Sequence, residues 1–202
     1  MDDDDLLADW RRSLEASVEY FSSANKGALE QWVCTQFLTN IGLDFDPNEV
    51  VSQADDPPDV IFRNAGFEVK EILDPGRRRH DEYKEALSKA RAGAQPADLI
   101  QVFTPEVLVP RHIGDLALEQ LGRLASKYEP RFRATLNLVL YVDLLRRVLE
   151  PGPMPTPEPF ATFGWLSVSV LMGWAALVFW ASETAPDFLR AKVGTVTLRR
   201  FA

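Results

Sequence analysis

The stretch Asp59-Val60-Ile61-Phe62-Arg63-Asn64-Ala65-Gly66-Phe67-Glu68-Val69-Lys70-Glu71-Ile72 decides how this chain reads. Two runs rich in β-branched and aromatic residues flank a short polar segment ending in glycine, which is a hairpin signal. Placing Asn64 and Ala65 at the centre of the turn pairs Phe62 with Phe67, Ile61 with Glu68, Val60 with Val69 and Asp59 with Lys70. Opposed residues share a face of the sheet, and so do residues two apart. Val60, Phe62, Phe67 and Val69 then form a packing face, while Asp59, Glu68 and Lys70 project together from the other. A slip of one residue would scatter them.

Convergent carboxylates repel one another and need a compensating cation. A hard divalent ion such as Mg²⁺ suits them, because it takes oxygen ligands and retains several waters. Such an ion polarises a phosphate oxygen and acidifies a water, and an ammonium nearby positions that water or stabilises developing charge. The residue types therefore suit phosphodiester hydrolysis. The competing reading is an exposed sheet face on which Glu68 and Lys70 are simply solvated.

Outward from the hairpin, Leu6 to Phe21 and Gly27 to Asn40 read as amphipathic helices, the second stopped by Gly42. Asp46-Pro47-Asn48 and Asp55-Asp56-Pro57-Pro58 mark a loop region. Arg77 to Ala92 reads as a polar helix and Ile113 to Tyr128 as an amphipathic one. Leu136 to Val142 is nearly all apolar, as a central buried strand is. Asp143 to Leu149 is expected to turn into a helix, and the five prolines between 151 and 159 make an extended loop. Pro186 to Val193 reads as a last short helix. This order gives an α/β fold with a mixed sheet in a single domain over residues 1–202.

Charge and composition narrow the function. The chain has 202 residues and a net charge of -8, so binding to nucleic acid through bulk charge is not expected. Most of the imbalance lies in residues 1–20, which carry -5, leaving room for a local basic site. From Arg77 to Arg91 six basic residues face three acids. Arg77, Arg78, Arg79 and Lys84 are the candidate contacts to backbone phosphates. A solvated helix face with pairs such as Asp81–Lys84 and Glu85–Lys89 is the alternative. His80 and His112 have no metal-spaced partners, and the single cysteine, Cys34, reads as a buried thiol.

One cysteine excludes an internal disulfide, and the acidic start MDDDDLLADW is unlike a signal peptide, so a cytoplasmic protein is expected. The uncharged run from Pro159 to Ser182 is long enough to span a bilayer. Its alternation at Leu166-Ser167-Val168-Ser169-Val170, the central Gly173 and the missing basic flanks favour two buried strands instead. A single-pass membrane protein is the lesser alternative. Apolar late strands at a sheet edge would also invite a homodimer.

Pro58-Asp59, eight residues, then Glu68-Val69-Lys70 resembles the motif of the PD-(D/E)XK nucleases. The resemblance implies a restriction-endonuclease-like mixed β-sheet flanked by helices. It implies that Asp59 and Glu68 bind Mg²⁺ or Mn²⁺ and that Lys70 assists the attacking water. An acid on the preceding helix often adds a ligand in that superfamily, and Glu30 stands in that place. The whole chain also resembles a small bacterial family of unknown function associated with endonuclease activity. Glu30-Gln31-Trp32-Val33-Cys34, the hairpin with Gly76-Arg77-Arg78-Arg79, and Ala185-Pro186-Asp187-Phe188-Leu189 carry that likeness. The implied activity is a metal-dependent endonuclease acting on nucleic acid, DNA foremost. A catalytically inactive nuclease fold that binds nucleic acid or a protein is the alternative.

Overall fold

The structure is a computed structural model that describes residues 3–54, 57–93 and 103–199, so Asp55 and Asp56 of the expected loop lie outside it. Helices α1 (Asp3–Tyr20) and α2 (Lys26–Asn40) lead into strands β1 (Val50–Ser52), β2 (Val60–Phe62) and β3 (Ala65–Leu73). Helix α3 (Arg79–Arg91), strand β4 (Glu106–Leu108), helix α4 (Pro110–Ala125) and the short α5 (Pro130–Arg133) follow. Then come β5 (Asn137–Asp143), β6 (Arg147–Leu149), α6 (Glu158–Ala161), β7 (Ser167–Met172), β8 (Ala175–Ala181), α7 (Asp187–Arg190) and β9 (Thr195–Leu198).

The described residues build a seven-stranded mixed sheet in the order β1-β2-β3-β5-β7-β8-β9, with a separate β4-β6 pair. Strands β3, β5 and β7 run parallel, and the outer pairs are antiparallel. A parallel centre needs both faces covered, which is why β5 reads as one unbroken apolar run. On one face α2 packs Val33, Cys34, Phe37 and Leu38 against Val60, Phe62, Phe67 and Val69. On the other, α4 packs Ile113, Ala117, Leu121 and Leu124 against Leu138, Leu140, Phe160 and Trp165. Helices α1 and α3 share a smaller cluster of Leu14, Leu87 and Ala90.

The hairpin forms, but in a different register. Phe62 pairs with Ala65, Ile61 with Gly66 and Val60 with Phe67, so Arg63 and Asn64 occupy the turn. Arg63 takes the left-handed conformation the turn needs, at φ +55°. Its guanidinium is held by Glu49 at 2.8 Å and lies over the Phe62 ring at 4.7 Å. The shift is two residues, which preserves each residue's face, so Asp59, Glu68 and Lys70 remain on one side.

Residues 143–149 do not become helical. Arg146 adopts φ +58°, which interrupts a helix, and Arg147–Leu149 pairs as β6 with β4. Strands β1, β4 and β9 have three or four residues each, too few to leave a periodic signal.

The uncharged late segment folds as the β7-β8 hairpin around Gly173, whose φ is +54°. Every residue of β7 is buried, Ser167 and Ser169 included, because both faces are covered. Ser167 donates to Asn137 Oδ1 at 2.9 Å. Strand β9 pairs along β8, so the apolar strands are interior rather than at the sheet edge. Among the described residues no helix is long and apolar enough to cross a membrane.

Phe67 is fully buried between α2 and the sheet. Phe67→Ala is expected to cost about 3–5 kcal/mol of stability, read as a lower denaturation midpoint with an unchanged slope in urea.

Candidate functional site

The site begins where β2 and β3 part. Their ladder ends at Val60, and the next backbone N–H of β3 on that side, Val69, donates instead to Asp59 Oδ2 at 2.9 Å. The carboxylate thus takes the place of a missing strand carbonyl. Asp59 is held from its other side by its own backbone, whose carbonyl accepts from Gln53 N at 2.9 Å. The side chain is almost fully buried, in the gap between the strands.

Glu68 and Lys70 follow from the pleat of β3. Glu68 is completely buried beside Leu138 of β5, and Lys70 lies two residues on, beside Leu140. Lys70 Nζ pairs with Glu68 Oε1 and lies 3.1 Å from Asp59 Oδ2. Tyr128, between α4 and α5, donates its hydroxyl to the same Glu68 oxygen. Its ring lies 5.8 Å from the lysine nitrogen. Glu68 Oε2 is buried and has no hydrogen-bond partner.

The first turn of α2 closes the other side. Lys26 Nζ lies 3.1 Å from Glu30 Oε1, four residues on, and 3.4 Å from Asp59 Oδ1. Glu30 is buried. A cleft of about 220 Å³ separates Lys26 and Glu30 from Val69, Lys70 and Glu71. The structure therefore brings Glu30, Asp59, Glu68 and Lys70 together. Even so, no group of three His, Cys, Asp or Glu side chains among the described residues is close enough to form a metal-ligand cluster by itself.

Protonation follows from these contacts. Burial would lower the Lys70 pKa, but the hydrogen bond to Glu68 and the charges of Asp59 and Glu68 outweigh it and raise it. Lys70 is thus a fixed cation. Burial alone would raise the Asp59 pKa, and Lys70 and the Val69 N–H bring it below the ordinary value. Burial raises the Glu68 carboxyl against the opposing pull of Lys70 and Tyr128. Glu30 is raised to about 7, first by burial and then by the charge of Asp59, with Lys26 opposing. Glu30 and Asp59 do not ionise independently, and Glu30 gives up its proton only near neutral pH.

The basic segment is used differently from its sequence reading. Arg79 is buried, pairs with Glu71 at 3.0 Å and Asp143 at 2.7 Å, and lies between the Phe21 and Tyr141 rings. Arg77 pairs with Glu82 at 2.7 Å and donates to the Asp143 carbonyl at 2.7 Å. These two arginines tie α3 and α1 to the sheet. Arg78 and Lys84 face solvent. Glu85–Lys89 forms the expected helical pair. His112 Nδ1 accepts from the Val109 N–H at the start of α4, and burial pushes the Cys34 thiol up.

Sequence reasoning missed Lys26 and Tyr128. Lys26 left a signal, its four-residue spacing from Glu30. Tyr128 left none, since it lies 60 residues from its partner.

Comparison with known proteins bears on the whole chain. Residues 2–201 match the family described as "Putative endonuclease, protein of unknown function (DUF1780)". The chain belongs to that family. Among solved structures, a protein of unknown function from Pseudomonas aeruginosa strain PAO1, described as of the monooxygenase superfamily, is similar. It is 28% identical over 98% of this chain and 96% of its own, with a TM-score of 0.66. No curated protein matches.

Two outcomes test the electrostatics of this family member. The Glu30 pKa of about 7 lies above its ordinary 4.5, so the folded chain holds that proton more tightly than the unfolded chain. The contribution is complete below about pH 4.5 and is lost as pH rises through 7. Metal-free protein should therefore lose stability across that window in urea titrations, and Glu30→Gln should flatten the loss. Lys70→Met leaves two buried carboxylates without their shared cation. A fold left intact by losing Lys70, as a surface lysine would allow, is not expected here: at pH 8 the cost should be about 3–5 kcal/mol. It should shrink at pH 5, where carboxyls protonate more easily.

Proposed function

We propose that this chain is a metal-dependent nuclease of the PD-(D/E)XK type, hydrolysing phosphodiester bonds of nucleic acid, DNA foremost. One observation carries the reading: Asp59 and Glu68, from adjacent strands, converge on Lys70, and Glu68 keeps a buried oxygen without a partner. A buried carboxylate oxygen left unsatisfied is costly for stability, and such groups gather where a site binds something.

The carboxylates are of the type a hard cation takes, although among the described residues no three of them close on one point. Asp59 and Glu68, with Glu30, would hold Mg²⁺ or Mn²⁺, and the lone Glu68 Oε2 is the type of oxygen such an ion takes. The ion would supply a Lewis acid for the phosphate and a lowered pKa for water. In the net reaction water oxygen bonds to phosphorus, the P–O ester bond breaks, and the departing oxygen gains a proton. Lys70, held as a cation, donates hydrogen bonds to water or a phosphate oxygen and stabilises charge on the transition state. It does not serve as the base. Tyr128 fixes Glu68, and the Val69 N–H fixes Asp59, so neither carboxylate must reorganise during the reaction. Lys26, more than half exposed at the mouth of the cleft, offers a second positive charge to an approaching phosphate.

One feature favours a non-catalytic reading. Lys70 already neutralises Asp59 and Glu68, so the cluster can persist as a closed ion-pair network. Calorimetric titration with Mn²⁺ separates the two. The nuclease reading expects binding by the wild type that Asp59→Ala removes, together with Mg²⁺- or Mn²⁺-dependent cleavage of DNA that falls by at least about a hundredfold in folded Asp59→Ala protein. Equal cleavage by both proteins overturns it, and nucleic-acid binding without cleavage supports the inert network.

A further inference from the structure

We infer that a groove beside Asp59 binds an unpaired nucleotide of the nucleic-acid strand, its base against Phe132 and its phosphates against Arg63 and Arg131. The inference rests on the nuclease reading of the neighbouring carboxylates, which is what makes a nucleic-acid strand the expected occupant.

The groove has a volume of about 450 Å³ and lies between the β2-β3 turn and the segment leading into β5. That size suits a small organic ligand. Pro58, Ile61 and Gly66 line one side, and Phe132 and Thr135 the other. Its lining residues neighbour those of the carboxylate cluster along the chain. Pro58 immediately precedes Asp59. Ile61 and Gly66 oppose one another and share the face of the hairpin that carries Asp59 and Glu68. The stretch that places Tyr128 on Glu68 places Phe132 four residues later.

A Cβ on Gly66 would lie 3.2 Å from the Pro58 ring carbons and 3.5 Å from Leu136, so the two sides of the floor close over a residue that has no side chain. Above it, Phe132 is 37% exposed, unlike the aromatic residues that fill both cores. Its ring therefore offers a face on which a nucleobase can stack.

The charge of the rim selects the partner. Arg131 lies over Phe132 with its guanidinium carbon 4.9 Å from the ring centroid. Arg63 lines the groove's edge at the turn, its guanidinium resting on Glu49 and the Phe62 ring. Their carboxylate partners, Glu129 and Glu49, are held in solvent-exposed pairs at 2.8 Å. Exposed pairs of this type are weak and exchange readily for a phosphate. An aromatic face flanked by arginines is the combination that binds single strands with little sequence preference. A duplex keeps its bases stacked and presents no free face to Phe132. The occupant is therefore a single-stranded or frayed stretch. This differs from the contacts read from the sequence, where Arg77 and Arg79 were candidates and prove to be committed to α3 and the sheet.

Fluorescence anisotropy with labelled oligothymidylate, oligouridylate and a duplex of equal length, in EDTA, tests the groove without requiring catalysis. The wild type is expected to bind the single strands more tightly than the duplex. Phe132→Ala should weaken that binding about five- to a hundredfold, with an unchanged melting temperature, and Phe132→Trp should restore it. Arg131→Ala should weaken binding and reduce its salt dependence. The ratio between the two oligonucleotides distinguishes DNA from RNA. Unchanged affinity in Phe132→Ala, tighter binding to duplex, or no binding by the wild type each overturns the inference. Metal-dependent cleavage is scored separately on the same preparations. Cleavage with a Phe132-independent affinity removes the groove and leaves the nuclease reading standing. Phe132-dependent binding without cleavage by any divalent ion removes catalysis and leaves the groove.

Discussion

The middle of strand β3, Phe67 to Val69, is buried on both faces, and that constraint governs everything around it. A strand in this position can carry Phe67 and Val69 toward α2 without cost, but Glu68 on its other face enters a core with no solvent to stabilise its charge. The chain answers with Lys70 two residues away and Tyr128 from the end of α4, while Asp59, across the gap where β2 ends, adds a second carboxylate that repels Glu68 and shares its lysine. Each partner is placed by a different element. The cluster exists only when the hairpin, the parallel β3-β5 pairing and the α4 connection are all in place.

The parting of β2 from β3 is the geometric device that makes this possible. Had β2 continued, its backbone would have taken the Val69 N–H and its side chains would have filled the gap. Instead the Asp59 carboxylate substitutes for the strand, so its position is fixed by a backbone hydrogen bond rather than by a flexible stem. Helix α2 then contributes twice. Its apolar face covers one side of the sheet, and its first turn brings Lys26 and Glu30 to the carboxylate. The coexistence of a raised Glu30 pKa and a lowered Asp59 pKa reflects this crowding, with Glu30 titrating near neutral pH beside an ionised Asp59.

The basic residues show how a charge pattern can mislead. Three consecutive arginines at the start of a helix look like a phosphate-binding strip. Arg79 instead fills a space bounded by Phe21, Tyr141, Glu71 and Asp143, and Arg77 joins α3 to the end of β5. Their charges are spent within the fold. Arg63 lines an open groove, and Arg131 lies over the Phe132 ring that also lines it. Charge density along the chain and charge density on a surface are different quantities, because folding decides which cations find internal partners.

Alternation and residue type alone carried a good deal. The apolar run at 136–142, the late hairpin around Gly173, helix α2 with its Gly42 stop, and the grouping of Asp59, Glu68 and Lys70 on one face were all legible, because each depends on local periodicity. The face assignment even survived a turn placed one residue off, since that moves the pairing by two residues and a pleat repeats every two. The short strands β1, β4 and β9 were not legible, nor was the extended course of 143–149, because three or four residues take their conformation from whatever strand lies beside them. Tertiary structure alone decided that the polar face of the hairpin would be buried rather than solvated. It also decided that Tyr128 and Lys26 would complete the cluster and that Arg79 would be withdrawn from solvent. These depend on contacts between residues far apart in the chain, and local sequence holds no record of which distant side chain will arrive to satisfy a buried charge.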